Sequence, residues 1–389
     1  MSKKVIVAVT NDLVTDQRVD RSCMALTEAG YEVTLVGRRL SDSVPLYPRP
    51  YRTRRMSLLF NRKAFFYAEY NCRLFFRLLF SDADLFYAND IDTLPACYLA
   101  ARWRHKRLFF DAHEMFPEVP ELVDRPRVKH FWERIERWIL PKIGTVVTGA
   151  ACTVCESIAK VYRDRYGIQM VVVRNVPSDV QMPDANNDDV VKVPDDKPFV
   201  LYQGAVNIGR GIEWVIDAME FVDDCRFVVA GVGDIYQKMR DYASAKPWQE
   251  RIVFLGRVEP RQLKQLTSKA ALGVVLLENR GLNYYYSLPN RIGDFVQAGV
   301  PIVASDFPEI KKIVETYPIG TLVAADCCGK MDAKSLATVI SKTIGEWSVL
   351  SSEDRTRRFD EARRNLSWDG HDKFVLVAAV NTIFSEILS

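Results

Sequence analysis

Glycine is missing from Thr10 to Arg21, the stretch T-N-D-L-V-T-D-Q-R-V-D-R that joins the first apolar run to the first helical pattern. A dinucleotide fold places G-x-G-x-x-G there, so this absence argues against a nicotinamide or flavin enzyme. A long apolar run at the start is also missing. M-S-K-K-V-I-V-A-V-T turns polar at Thr10 and Asn11, which fits neither a signal peptide nor a spanning helix, and the expectation is a cytoplasmic protein. The eight cysteines show no regular framework and the four histidines are dispersed, so reduced thiols are expected. Cys152 and Cys155 form a C-x-x-C, read as packing at a strand-to-helix junction rather than as a zinc or redox site. No low-complexity tract, internal repeat or nucleic-acid motif is present, which argues against a nucleic-acid partner.

A strong net charge is lacking too, at +3 over 389 residues, but the charge is uneven. Arg49, Arg52, Arg54, Arg55, Arg62 and Lys63 fall in a stretch without a single acid. Met56 to Phe80 follows, rich in phenylalanine and leucine, with Glu69, Arg73 and Arg77 spaced by four. Its charges forbid a bilayer span. Two readings stay open: a core helix covering a sheet, or an interfacial helix giving residues 49–80 a peripheral contact with the inner face of the plasma membrane.

What is present is a repeated alternation of short β-branched runs with helical patterns, the mark of βαβ units and parallel sheets. Strands are expected at Lys4 to Val9, Glu32 to Val36, Asp84 to Tyr87, Leu108 to Phe110, Thr145 to Thr148 and Met170 to Val173. After P-D-A-N-N-D-D-V-V-K-V-P-D-D-K the rhythm restarts, with strands at Phe199 to Gln203, Arg226 to Ala230, Ile252 to Leu255, Ala271 to Leu277 and Pro301 to Ala304. The chain length exceeds one ordinary core. The predicted fold class is α/β: two doubly wound, Rossmann-like parallel-sheet domains facing across a cleft, residues 1–180 and 198–369, joined by a linker at 181–197. A last helix over 370–389 is expected to cross back to the first domain.

Four stretches carry candidate chemistry. Asp16 and Arg18 read as polar groups aimed into the cleft, with a helix cap and a solvated arginine as the alternative. F-F-D-A-H-E-M-F-P-E sets His113 just beyond a buried strand, where it can donate to a sugar hydroxyl or carry a proton. In Y-Q-G-A-V-N-I-G-R-G, Gly204, Gly209 and Gly211 allow close backbone approach, and Arg210 suits a pyrophosphate. In Y-S-L-P-N-R-I-G-D-F-V-Q-A-G, Pro289 is expected at the first helical position, with Asn290 to Ala298 helical and Gly299 as the stop. The opening of that helix is an anion site. Arg291 adds a fixed charge, and Asp294 can accept from sugar hydroxyls. Together these read as a pocket for a nucleoside-diphosphate sugar.

These stretches, with N-D-x-x-x-D-Q-R-V-x-R, R-N-V-P at Arg174 to Pro177, V-F-L-G-R-V at Val253 to Val258 and S-L-P-N-R-x-x-D-F-x-x-A-G-V-P-I-V-A-S, resemble the retaining glycosyltransferases of family 4, which have the two-domain GT-B fold. The resemblance implies a contact from His113 to the donor sugar, backbone contacts to phosphate from Ser287, Leu288, Pro289 and Asn290, and no metal cofactor, the donor being of the UDP or GDP type. It also marks departures. Ala205 stands where many members carry an arginine, and Arg210 where they carry lysine. The family's two glutamates map to Tyr286 and Asp294, and Tyr286 cannot act as a carboxylate. The implied activity is metal-independent, retaining transfer of a sugar to a glycan or lipid-linked acceptor in bacterial cell-surface polysaccharide assembly. A sugar-nucleotide epimerase of the same fold and a non-catalytic nucleotide-sugar binder are the alternatives.

Overall fold

The computed structural model describes residues 2–14, 16–119, 122, 125–143, 149–178, 193, 197–325 and 331–385. It divides into two units, Met1–Asn175 with Asp372–Ser389, and Val176–His371. The division falls five residues before the expected boundary at residue 180. Residues 181–197, expected as a linker, lie within the span of the second unit, and most of them lie outside the described residues.

The first unit runs β1 (Lys4–Ala8), α1 (Gln17–Glu28), β2 (Glu32–Arg39), β3 (Arg52–Ser57), α2 (Lys63–Leu79), β4 (Leu85–Asn89), α3 (Asp90–Arg104), β5 (Arg107–Ala112), α4 (Pro126–Ile139), β6 (Gly149–Thr153), α5 (Glu156–Tyr166) and β7 (Val171–Val172). Its parallel sheet has the order β3-β2-β1-β4-β5-β6-β7. The order reverses between β1 and β4, the kind of switch point outside whose strand ends ligands bind in open α/β sheets. Every residue of L-F-Y-A-N in β4 is buried, because helices cover both faces of a parallel sheet. The strand β3 was not foreseen. Its R-T-R-R-M-S pattern leaves Arg52, Arg54 and Ser57 exposed and only Met56 buried, as an edge strand allows. The strand expected at Thr145 to Thr148 lies outside the described residues, and β6 begins at Gly149.

The second unit runs β8 (Phe199–Gln203), α6 (Ile212–Ala218), β9 (Arg226–Ala230), α7 (Tyr236–Ser244), β10 (Ile252–Gly256), α8 (Pro260–Lys269), β11 (Leu272–Val275), α9 (Leu282–Tyr285), α10 (Arg291–Ala298), β12 (Ile302–Ser305), α11 (Pro308–Thr316), β13 (Gly320–Val323), α12 (Ala333–Ser348) and α13 (Ser352–Asn365). The order β10-β9-β8-β11-β12-β13 reverses between β8 and β11. At the turn after β9 Gly231 is obligatory: φ is +152° and a Cβ there would lie 1.9 Å from the Gly204 carbonyl oxygen.

The last helix, α14 (Lys373–Ser385), belongs to the first unit, against α1, β6 and β7. Asp372 fixes its start. The fully buried carboxylate accepts from the Arg174 backbone N–H at 2.6 Å and from its Nε and Nη2 at 3.1 and 2.8 Å. Charge-assisted, bidentate bonds of this kind are the strong ones.

The core reading of residues 56–80 finds its counterpart in α2, which buries one face. Phe66, Tyr70, Leu74 and Leu78 are buried, while Phe65 and Phe76 on other faces are exposed. The basic stretch before it is partly absorbed: Arg49 donates to the Leu13 carbonyl at 2.7 Å and lies over the Tyr47 ring, and Arg52 pairs with Glu32 at 3.0 Å.

Asp372→Ala should loosen the C-terminal helix. The expected loss is about 3 kcal/mol, because the Arg174 guanidinium and amide lose a charged acceptor. Hydrogen exchange of the peptide over 373–385 should accelerate by tenfold or more, and unchanged protection would refute the anchoring role.

Candidate active site

At the C-terminal ends of β1, β4 and β5 the first unit gathers an acid–base cluster. Asp111 ends β5 with no exposed surface. Arg18 Nη2 donates to its Oδ1 at 2.7 Å, and the Tyr87 hydroxyl donates to Oδ2 at 2.7 Å. Burial works against the Asp111 charge, but Arg18 and then His113 outweigh it and hold the carboxyl well below the ordinary range. Arg18 is therefore not the solvated group of the alternative reading: it is buried, and its other Nη donates to the Val173 carbonyl at 2.9 Å. Asp16 accepts from the Val19 N–H at 3.0 Å and from Asn11 Nδ2 at 2.6 Å, so it caps α1 as the alternative reading had it.

His113 stands between two carboxylates. Nδ1 is 3.3 Å from Asp90 and Nε2 is 3.3 Å from Asp111, and the His113 backbone N–H donates to Asp90 Oδ1 at 2.8 Å. Burial disfavours the imidazolium, yet the two carboxylates prevail and raise the pKa to about 9. Nε2 is buried and its approach to Asp111 is not aligned as a hydrogen bond. Two partners went unforeseen. Asp90 sits at φ +57°, a left-handed conformation sparsely populated outside glycine. Asp92 accepts from the Thr10 hydroxyl at 2.6 Å, and burial followed by the nearby Asp90 charge lifts its carboxyl to about 7. The signal was available in A-N-D-I-D, two acids immediately beyond a buried strand.

In the second unit the same end of the sheet carries two arginines. Arg210 follows β8, and its guanidinium lies 4.6 Å from the Tyr284 ring centroid; Arg291 opens α10, 4.6 Å from the Tyr202 centroid. Arg291 is buried, and among the described residues its guanidinium makes one hydrogen bond, a long one to the Gln203 carbonyl at 3.4 Å. Burial first, and the Arg291 charge second, lower the Arg210 pKa. Among the described residues neither guanidinium has a carboxylate partner, and Arg210 Nε is buried without an acceptor. Two like charges held together and desolvated call for an anion from outside.

The helix α10 starts one residue later than expected. Asn290, not Pro289, is the boundary residue, and it makes no capping bond, so the positive end is left for another partner. Gly299 closes the helix at φ +71°. Asp294 is exposed and is steered by Gln203, whose Nε2 donates to it at 3.0 Å while its Oε1 accepts from Thr267 at 2.7 Å. Gln203 and Tyr284 were not singled out in the sequence, although Y-Q-G and the tyrosine run contain them.

Ser287 donates its hydroxyl to the Tyr284 carbonyl at 2.9 Å. Tyr286 packs on Tyr285 at 5.1 Å, and Tyr285 on Phe307 at 5.2 Å. Leu288 and Pro289 are half-buried between the two helices. Gly204 turns at φ +118° with open space where a side chain would stand, so a ligand backbone can approach it. The expected site residues thus fall into two groups, Asp16, Arg18 and His113 in one unit and the others in the second. Among the described residues no group of His, Cys, Asp and Glu is arranged to hold a metal ion.

The model of the Glycosyltransferase Family 4 matches residues 17–176 and that of Glycosyl transferases group 1 matches residues 197–345. Together they cover well over half of the chain, which belongs to the family-4 glycosyltransferases with the GT-B fold. An alpha-D-kanosaminyltransferase of Streptomyces kanamyceticus is 28% identical over 133 residues, 33% of this chain and 33% of that protein. The shared stretch thus spans about a third of the curated relative's length. Sucrose-phosphate synthase from Thermosynechococcus elongatus has a TM-score of 0.74 at 16% identity, over 99% of this chain and 100% of that one. HepE of Anabaena, solved with UDP-glucose, has a TM-score of 0.68 at 13% identity, over 98% of this chain and 99% of that one.

The imidazolium of His113 gives a pH signature. A pKa raised on folding from 6.5 to about 9 contributes stability that is fully present below 6.5 and lost as pH rises through 9. Urea unfolding should show about 3 kcal/mol lost over that window. His113→Asn should remove most of the slope, and an equally steep variant would refute the ion-paired imidazolium.

Proposed function

We propose that this protein transfers a sugar, with retention and without a metal, from a UDP- or GDP-type donor to a glycan or lipid-linked acceptor. The reaction would serve cell-surface polysaccharide assembly on the cytoplasmic side of the membrane. One observation carries the reading: Arg210 and Arg291 are desolvated beside an uncapped helix opening, with no carboxylate on either among the described residues. Such an arrangement is suited to the diphosphate that departs when the bond from the sugar's anomeric carbon to the phosphate oxygen breaks. Asp294, steered by Gln203, would hold the ribose hydroxyls. Backbone N–H groups from Ser287 to Asn290, together with Gly204, would approach the phosphates, and Tyr286 would border them. The acceptor hydroxyl would attack on the face that the diphosphate leaves.

His113 would act on the sugar. Its ring, held charged between Asp90 and Asp111 and partly exposed, would present a fixed positive edge to the sugar's hydroxyls. Arg18 and Asp16 would act through others, Arg18 by holding Asp111 charged and Asp16 by fixing the start of α1.

Calorimetry with UDP, GDP and their sugars tests the anion site. Arg210→Ala and Arg291→Ala should each weaken diphosphate binding by about ten- to a hundredfold, the worth of one charge-assisted contact, with melting temperature measured alongside. His113→Ala should lower kcat with little change in KM. Unchanged kinetics in all three would sink the assignment. Binding without turnover, acceptor extracts included, would favour a non-catalytic binder.

A further inference from the structure

We infer that the outer face of α2, α3 and α4 in the first unit is a docking surface for an anionic lipid bilayer. The inference goes beyond the proposed reaction and does not depend on its donor or acceptor. Helices of a globular domain ordinarily show water a polar face. Here that face is aromatic. Phe80, Trp103 and Phe65 are 81%, 71% and 69% exposed, and Phe76, Phe131 and Trp138 are exposed as well. On α2 the exposed positions Phe65, Ala68, Cys72 and Phe76 follow helical spacing, so the stripe is a second apolar side and not the edge of the buried one.

The rings join the helices. Phe75 meets Trp103 at 6.4 Å, linking α2 to α3, and Tyr98 meets Trp138 at 5.9 Å, linking α3 to α4. The Arg104 guanidinium donates to the Leu79 carbonyl across the same seam. A patch this size on one protein marks an interaction site.

Charge selects the occupant. Lys63, Arg77, Arg102 and Arg134 are exposed and have no ion-pair partner among the described residues. The acids nearby are engaged: Glu69 accepts from the Leu59 and Phe60 N–H groups and from Arg73, and Glu136 is buried. Aromatic rings interleaved with unpaired arginine and lysine suit the boundary of headgroup and acyl chain, where long cationic side chains reach phosphate while rings enter the apolar layer. A second copy would set like charges against each other across a two-fold axis. No helix among the described residues is long and apolar enough to cross a membrane, so the contact is with its surface.

Co-sedimentation of the full chain with vesicles tests this. Binding to phosphatidylcholine vesicles with about 30% phosphatidylglycerol should exceed binding to pure phosphatidylcholine by tenfold or more, and should weaken in ~0.5 M NaCl. Phe76→Ala/Phe80→Ala/Trp103→Ala should lose at least tenfold of it at unchanged melting temperature, since these rings are solvent-exposed. Arg77→Gln/Arg102→Gln should lose a similar factor and flatten the salt dependence. Wild type left in the supernatant, or variants that sediment as well as wild type, would overturn the inference. So would a concentration-dependent dimer abolished by the triple variant, or tight binding to an oligonucleotide in place of vesicles. Because sugar transfer is assayed separately, a chain that transfers sugar yet ignores vesicles refutes the surface alone.

Discussion

A carboxylate cut off from water must find its partners within the protein, and Asp111 is such a group at the end of β5. Taking an isolated ion out of water costs far more than a domain's net stability, so the surroundings are constrained by that one charge. Arg18 reaches it from α1, Tyr87 from β4 and His113 from the segment after β5. Arg18 in turn holds the Val173 carbonyl just past β7. One anion thus locks the ends of three strands and a helix into a single geometry. His113 is placed as a consequence. Its ring cannot move far without leaving Asp90 or Asp111, and this rigidity suits a group meant to meet a substrate at a fixed position.

The second unit has the opposite balance. There the buried charges are cations, supported by aromatic rings and lacking a carboxylate. Stacking on Tyr284 and Tyr202 offsets part of the desolvation but leaves both charges in place. In the first unit the buried ions pair with one another, whereas among the described residues the two arginines of the second have no carboxylate. That difference underlies the proposal of a donor site in the second unit and of acid–base chemistry in the first.

How much of this was legible follows from the range of each interaction. The alternation of apolar runs and helical patterns is local, so most strands were found where the sequence placed them, and Gly167 and Gly299 end helices as expected. The edge strand β3 was missed because a half-exposed strand carries arginines where a buried one carries valine. The burial of Arg18 was hidden for another reason. Its partner lies ninety-three positions away, and no local pattern distinguishes a buried arginine from a solvated one. The A-N-D-I-D run showed Asp90 and Asp92 beyond a strand, but not their perturbation, which comes from burial and, for Asp92, from the nearby Asp90 charge. Arg210 and Arg291 were found because glycine loops and helix openings are local, but their mutual proximity was not visible in the sequence.

The tyrosine loop shows what can replace a charged contact. The family resemblance implies a glutamate where this chain has Tyr286, and here that ring packs into a series with Tyr285 and Phe307. Tyr284 on the same short helix supports the Arg210 guanidinium, and its hydroxyl lies 3.3 Å from the Ile208 carbonyl. The loop is therefore fixed by packing instead of by a carboxylate, and both arginine charges stay undiminished. Aromatic packing secures the loop, and the Tyr284 ring that belongs to it supports the Arg210 guanidinium without neutralising its charge.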